Sequence, residues 1–169
     1  MTFSEGKTVI HPIHGPGQVL SLSSRSVRGR AEPYVSLYFA ENRLRISLPI
    51  AAAADIGIRQ VLTPSGAEEI FDALRAPSIA LPTMFARRMK ELQELLSRGT
   101  VEHGAIVVRE LERKDPERRS MGERQILKGA KNRLAGELAL ALEQPIEAVI
   151  QLIEAAATDA PADAEPAAA

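Results

Sequence analysis

The first fifty residues contain short stretches in which apolar residues alternate with polar or aromatic ones. The alternation runs through residues 35–39 and again through residues 44–48, and a period of two is typical of half-buried strands. Gly29 and Asn42 stand where hairpin turns are expected, and Gly15-Pro16-Gly17 is interpreted as a further turn. The pattern predicts four or five short strands in a small β-barrel of SH3 or Tudor type.

From residue 65 onward, apolar residues recur at the spacing of an α-helix. Ser65 to Glu68 and Ser120 to Glu123 match the capping box, in which a hydroxyl and a carboxylate satisfy free backbone N–H groups at a helix start. Thr83 is a candidate N-cap for a helix between them, and Pro145 fits the first turn of a last helix. The predicted helices span about 65–75, 83–97, 101–114, 119–142 and 145–157.

These elements predict an α+β protein with two domains. A small N-terminal Tudor/SH3-like β-barrel is expected over residues 1–53, followed by a linker over residues 54–64. A compact all-α C-terminal domain is expected over residues 65–157. Residues 158–169 are rich in Ala, Pro, Asp and Glu, a composition that predicts a disordered acidic tail.

Composition argues against several classes of function. The chain has no cysteine, which removes disulfides, thiolate chemistry and cysteine-ligated zinc. Its apolar runs fall short of the roughly 20 residues that a membrane span requires, and residues 1–15 do not resemble a signal peptide. His11 and His14 have no third ligand at metal spacing, and no nucleophile, base and orienting residue stand together. We therefore expect a soluble cytoplasmic protein that is not an enzyme and holds no metal or cofactor.

The net charge of −1 hides an uneven distribution along the chain. Residues 1–50 contain six basic and three acidic residues, and residues 85–133 contain 13 basic and eight acidic ones. Residues 134–169 contain seven acidic residues and no basic ones. Two basic zones suit a protein that touches a polyanion with selected faces. The alternative is that these cations only solvate helix surfaces.

One short segment places an aromatic ring beside three cations, because Phe85 precedes Arg87, Arg88 and Lys90. An exposed apolar side chain can enter a DNA base step while nearby cations hold the backbone. Arg87 and Arg88 would point about 100° apart on a helix, which fits two neighbouring phosphates better than one small anion. The alternative makes Phe85 the first core residue of an amphipathic helix, since apolar residues follow it at helical spacing.

Two further basic groups carry a weaker signal. Lys128, Lys131 and Arg133 lie close together in the longest predicted helix, and the alternative for them is a solvated helix face. Arg28-Gly29-Arg30 resembles the core of a minor-groove hook, but a hairpin turn needs glycine there for backbone reasons. Of these residues, only Lys131 is kept as a candidate DNA contact.

Five segments, taken together in their order and spacing, resemble a known family. They are GKTVIHPIHGPG at residues 6–17, Leu48-Pro49, Leu74 to Pro77, Pro82 to Lys90, and Gly136 to Ala139. The family is the CarD/CdnL family of bacterial transcription regulators. The likeness covers about residues 1–155, nearly all of the chain.

The resemblance implies an N-terminal Tudor-like domain that binds the β subunit of RNA polymerase. It also implies a helical domain that contacts promoter DNA at the upstream edge of the transcription bubble. The family's DNA wedge is a tryptophan, and Phe85 stands at that position here. The resemblance also implies that Arg25 and Val27 belong to the face that binds polymerase. The family has an arginine at the position of Ser47, and Arg45, on the same strand face, is expected to substitute for it.

These expectations combine into a transcription regulator that stabilises the open promoter complex. Its expected partners are the β subunit of RNA polymerase and promoter DNA, the latter contacted largely without sequence readout. We expect a monomer that binds neither a membrane nor a small-molecule substrate. The alternative is an interaction module that docks on polymerase or a repair factor without touching DNA.

Overall fold

The computed structural model describes residues 2–40 and 43–159, and the chain divides into two compact units between Val61 and Leu62. The predicted turn at Asn42 lies outside the described residues, as does the predicted tail beyond Asp159. Within the described ranges, no helix combines the length and the apolar character needed to cross a bilayer.

The first unit is built around an antiparallel sheet with the strand order β4-β3-β2-β1-β5. Its described residues form strands β1 (Thr8–His11), β2 (Gly15–Val27), β3 (Arg30–Phe39), β4 (Leu44–Pro49) and β5 (Arg59–Gln60). A 3-10 turn at Ile50–Ala52 and a short helix, α1 (Ala53–Ile56), lie between β4 and β5. The predicted α+β class with an N-terminal Tudor-like sheet is confirmed.

Alternate residues of β3 lie on opposite faces of the sheet. Val35, Leu37 and Phe39 are fully buried, whereas Tyr34 and Tyr38 are partly exposed on the other face. The period of two therefore identified the core face of this strand correctly. The rest of this core consists of Phe3, Val9, Val19, Leu48, Ala53 and Ile58.

The turns of the sheet agree only in part with the predictions. Arg28 and Gly29 form the two-residue turn between β2 and β3, and both have positive φ angles, 50° and 78°, as a type I′ turn requires. Gly15-Pro16-Gly17 is not a turn, because all three residues pair with β1 inside β2. The turn is formed by the three preceding residues, 12–14, where Nδ1 of His11 accepts the backbone N–H groups of Ile13 and His14.

Replacing Gly17 with alanine is expected to lower the free energy of unfolding of the first unit by about 1–3 kcal/mol, the usual effect of overpacking a core. A Cβ atom at this position would collide with the buried ring of Phe39. Denaturant unfolding of the full chain measures the change. Gly129→Ala is the control, since a Cβ there meets no atom and the change should stabilise its helix by about 0.5–1 kcal/mol. Equal effects of both changes would contradict the prediction.

Most of the segment predicted as a linker belongs to the first unit. Ile58 is buried in the core of the sheet, and β5 pairs with β1 through Val9 with Gln60 and Ile10 with Arg59. The unit therefore extends to Val61 rather than to residue 53. The physical reason is that β1 gains a second partner strand while Ile58 covers apolar surface of the sheet.

The second unit is helical. Its described residues form α2 (Pro64–Arg75), α3 (Phe85–Ser97), α4 (Val101–Arg113), α5 (Met121–Leu142) and α6 (Ile146–Thr158), with a 3-10 turn at Pro116–Arg118. The five predicted helices are therefore present. Each helix contributes a deeply buried residue to the core: Leu74, Leu92, Leu111, Leu138 and Ile153.

The starts of three helices test the predicted caps. At α5 the capping box is confirmed, because Ser120 and Glu123 each satisfy the other's backbone N–H. At α2 the cap is Thr63, whose hydroxyl accepts the N–H of Gly66 at 3.1 Å. Proline suits the first helical position, so Pro64 moves the cap from Ser65 to Thr63. At α3 the cap position is Met84, which makes no side-chain capping bond, rather than Thr83.

Candidate functional site

The start of α3 presents an apolar surface to solvent. Phe85 is 51% exposed, and Met84 is 58% exposed. The helix buries Leu92 and Leu95 instead, so the ring of Phe85 is not part of the core. Neighbouring exposed apolar side chains of this kind often mark a surface that contacts a partner.

Two of the three neighbouring cations are free to meet a partner. Arg87 is exposed and makes no hydrogen bond or ion pair with the described part of the chain. Lys90 is 78% exposed, and its only ion pair in that part of the chain is with Glu94, one turn along the helix, at 3.6 Å. Exposed pairs of this kind contribute about 0.3–0.5 kcal/mol, so Lys90 can exchange Glu94 for a phosphate.

Arg88, the third cation, is held inside the helical unit. Its Nε donates to Oε1 of Glu123 at 2.9 Å, and its Nη1 donates to the carbonyls of Pro82 at 3.0 Å and Thr83 at 2.7 Å. Its guanidinium carbon also lies 5.9 Å from the centroid of the Phe85 ring, within range of a cation–π interaction. Arg88 is therefore bonded to its own chain, unlike Arg87 and Lys90.

Glu123 is buried and strongly acidic. Burial by itself raises the pKa of a carboxyl, but hydrogen bonds from Lys114, Arg88 and Ser120 outweigh it and lower the pKa of Glu123 to about 2. Lys114 contributes two of these bonds, at 2.7 and 2.9 Å. The carboxylate is thus ionised at neutral pH and joins the start of α5 to the start of α3.

Lys131 also lies inside the helical unit. Its Nζ donates to Glu112 of α4 at 2.6 Å and to Glu154 of α6. Burial lowers the pKa of a lysine, but the two carboxylates outweigh that effect and raise the pKa of Lys131 above its ordinary value. The structure therefore places Lys131 between three helices rather than on a free basic surface. Arg88 is likewise bonded within the unit, to α5 and to the loop before α3.

The candidate polymerase-binding residues lie on the outer face of the sheet. The guanidinium of Arg25 lies 4.6 Å from the ring centroid of Tyr34, and its Nη2 donates to Oγ of Ser47 at 3.0 Å. The guanidinium of Arg45 lies 5.7 Å from the ring of Tyr38. The structure thus brings Arg25 and Ser47 into direct contact, and each arginine stacks on a tyrosine.

Val27 stands near the end of the same hairpin. It is partly exposed and lines an open groove with Arg28, Arg30 and Glu32. Val27 pairs with Arg30 directly beside the two-residue turn. An apolar side chain with cations beside it offers a partner both a hydrophobic contact and a charge contact.

The histidines of the first unit support the fold. His11 is buried, its ring lies 4.6 Å from that of His14 and 5.6 Å from that of Phe39, and its Nδ1 accepts the N–H of Ile13. Burial, and to a lesser degree the charge of His14, lower the pKa of His11. In the parts of the chain that the structure describes, no three His, Asp or Glu side chains converge in a way that could hold a metal ion.

Comparison with known proteins assigns both units. A family model described as the CarD C-terminal domain matches residues 69–154, which is half of the chain. A model described as the CarD-like/TRCF RID domain matches residues 3–62. The chain belongs to the CarD family. This is a non-enzymatic regulatory family whose members interact with RNA polymerase.

A solved structure is similar to part of this CarD-family protein. It is the solution NMR structure of the 72-residue N-terminal domain of Myxococcus xanthus CarD. The two sequences are 22% identical over 35% of this chain and 79% of that domain, with a TM-score of 0.31. The exposed residues Phe85, Arg87 and Lys90 fall within the CarD C-terminal match, and Arg25 falls within the RID match.

Sequence reasoning missed several residues of these surfaces. Tyr34 and Tyr38 belong to the polar face of β3, and the alternation that identified the buried face also implied their exposure. The capping box indicated the bond of Glu123 to Ser120, but nothing local indicated its bonds to Arg88 and Lys114. Those partners are 35 and 9 residues away along the chain.

Proposed function

We propose that this protein holds itself to the β subunit of RNA polymerase with the outer face of its sheet. We further propose that it contacts promoter DNA at the upstream edge of the bubble with the start of α3. The contact stabilises the open complex. The observation that carries the proposal is the half-exposed ring of Phe85 with free cations beside it. Family membership supports the polymerase partner.

The apolar and basic parts of this surface have complementary tasks on DNA. A ring that enters a base step meets an unstacking cost of a few kcal/mol, which the contacts made to the distorted duplex offset. Arg87 and Lys90 supply phosphate contacts that carry no sequence information. The contact is therefore expected to depend on the shape of the duplex at the bubble edge rather than on its sequence.

The sheet face suits an acidic partner surface. Stacking on Tyr34 and the bond to Ser47 hold the guanidinium of Arg25 in one orientation, so less side-chain entropy is lost when a carboxylate binds. The family has an arginine at the position of Ser47. Here Arg45, which lies against the ring of Tyr38, supplies the second cation of this face instead. Val27 adds an apolar contact near the end of the hairpin.

Tethering explains how a weak DNA contact has an effect. Binding to polymerase raises the effective concentration of the helical unit near the promoter. Opening is then favoured by the difference in affinity of the protein for the open and closed complexes. A twentyfold difference corresponds to about 1.8 kcal/mol. No chemical step is needed.

The lifetime of open complexes formed by the cognate polymerase tests this function. Wild-type protein is expected to lengthen that lifetime, and both Phe85→Ala and Arg25→Glu are expected to remove most of the effect. Arg25→Glu should also weaken binding to polymerase, whereas Phe85→Ala should not. Since Phe85 is half-exposed, its removal should change the free energy of unfolding by less than about 1 kcal/mol.

Leu152→Ala is the matched control for Phe85→Ala. Leu152 is also an exposed apolar residue of the helical unit, but it lies on α6, the last helix in the sequence. Its replacement should leave the lifetime unchanged. If wild-type protein binds polymerase and yet the lifetime does not respond, the DNA contact is refuted. The interaction module that docks without touching DNA would then be the better description.

A further inference from the structure

The starts of α3 and α5 are joined by a buried carboxylate. The side chain of Glu123 is 1% exposed, while those of its two cationic partners, Arg88 and Lys114, are 17% and 27% exposed. Its oxygens also accept the N–H of Ser120 at 2.8 Å. Charged groups so far from water are tolerated when they are paired and hydrogen-bonded, and every donor here is supplied by the protein. The cluster is therefore a fixed part of the fold.

Arg88 uses this cluster to fix the start of α3. Its Nε is bonded to Glu123, and its Nη1 reaches back to the carbonyls of Pro82 and Thr83, the residues just before the cap position. The cap residue, Met84, offers no side-chain bond of its own. The backbone just before the helix is thus held by Arg88 rather than by the side chain of the cap residue.

The same guanidinium supports the exposed ring. The hydrophobic effect gives an aromatic side chain no reason to remain half-exposed, since burial of its surface would be favourable. The guanidinium carbon of Arg88 lies 5.9 Å from the centroid of the Phe85 ring, and the same guanidinium holds the backbone just before Met84 through Pro82 and Thr83. A ring held in its binding orientation loses less conformational entropy when it contacts a partner.

We propose that Glu123 and Arg88 are positioning residues for the DNA-contacting end of α3, and that Arg88 is not itself a phosphate contact. The inference rests on the proposed DNA contact of Phe85. The guanidinium of Arg88 already donates three hydrogen bonds to groups of the protein itself. Only the Nη2 donors remain, on a side chain that is 17% exposed. Arg87 has no such bonds in the described part of the chain, and Lys90 has only its exposed pair with Glu94 to exchange.

Arg88→Lys and Glu123→Gln separate positioning from phosphate contact. Lysine keeps the charge but lacks the planar fork that reaches a carboxylate and two carbonyls together. Glutamine keeps the capping box but removes the charge that holds Arg88. If Arg88 bound a phosphate, lysine would largely replace it, and Glu123→Gln would free it for DNA. If it positions Phe85, both changes weaken the effect on the promoter.

The experiment combines two readouts on the full chain. The first is the fluorine NMR spectrum of free protein labelled with fluorophenylalanine, in which Phe85→Ala identifies the signal of residue 85 among the four phenylalanines. The second is the open-complex lifetime at saturating protein. Both variants are expected to shift or broaden the Phe85 signal. They should also reduce the lengthening of the lifetime about fivefold, since a loosely held ring loses part of its preference for the open complex over the closed one. Polymerase binding should be unchanged.

Glu154→Gln is the matched control, because it also removes a carboxylate paired with a lysine, but on α6. It should leave both readouts unchanged. An unaltered Phe85 signal in both variants, or a full lifetime effect in Arg88→Lys, would overturn the positioning role. If Phe85→Ala itself leaves the lifetime unchanged, the proposed DNA contact fails. The fluorine signal of the free protein still decides whether the cluster orients the ring.

Discussion

Replacing Arg113 with alanine is expected to lower the free energy of unfolding of the helical unit by about 3–5 kcal/mol. The guanidinium of Arg113 makes five hydrogen bonds, as many as it has N–H donors. The acceptors are the carbonyls of Ala157 (2.7 Å), Ala76 (2.8 Å), Leu74 (3.2 Å) and Arg75 (3.2 Å), and the hydroxyl of Ser78 (3.0 Å).

The large effect follows from where these acceptors lie. The last carbonyls of a helix have no partner within the helix, and Arg113 supplies partners at the end of α2 and at the end of α6. Alanine would leave several of these carbonyls unsatisfied in partly buried surroundings, and each such group costs about 1–3 kcal/mol. Lysine cannot replace the fork, so Arg113→Lys should recover little of the loss.

Urea unfolding followed by the helical circular dichroism signal measures this change. Arg118→Ala is the control, since Arg118 is 83% exposed and pairs with Asp115 at 3.7 Å. Removing such a surface pair should change the free energy of unfolding by about 0.5 kcal/mol or less. A loss below about 1 kcal/mol for Arg113→Ala would show that other donors take over its acceptors.

Acid is expected to destabilise the helical unit through Glu123. Its pKa is lowered from 4.5 to about 2 in the folded protein, so the stabilisation is fully present above the unfolded pKa and is lost as the pH falls toward the folded pKa. The shift corresponds to about 3 kcal/mol in total, of which about 2 kcal/mol is lost by about pH 3. The free energy of unfolding, measured between about pH 6 and pH 3, should show this decline.

Glu123→Gln removes the titrating group and is the matched variant. It should be less stable than the wild type at neutral pH, because Arg88 and Lys114 lose their common counter-charge. Its stability should then fall by about 2 kcal/mol less than that of the wild type over the same pH range. Parallel pH profiles for the two proteins would be inconsistent with a lowered pKa of Glu123 in the folded state.

Local sequence patterns predicted the elements better than their ends. The capping box of Ser120 and Glu123 was correct because both partners lie within one helical turn, where spacing fixes their distance. Ser65 was the wrong cap, although Thr63 and Pro64 beside it carried the correct signal. The linker prediction missed Ile58 because the apolar residues at 56, 58, 61 and 62 follow neither a strand period nor a helix period long enough to reveal which of them is buried.

The residues of the candidate surfaces were also predicted only in part. The sequence identified Phe85 and its cations as a group, and the structure exposes the ring, Arg87 and Lys90. The sequence could not distinguish Arg88 from Arg87, since adjacent arginines on a helix look alike until the neighbouring helices are known. Lys131 was chosen from a basic run, but its partners Glu112 and Glu154 come from two other helices.

The amino-acid sequence by itself determined the order of strands β1 to β4 and helices α2 to α6, the core face of β3 and the segment that carries Phe85. These features depend on residues a few positions apart, whose spacing is fixed by helix and strand geometry. Only the tertiary structure decided which cations are free, because ion pairs such as Arg88 with Glu123 join residues 35 positions apart. Packing brings such residues together, and the energy of a charge depends on the burial and partners that it finds there.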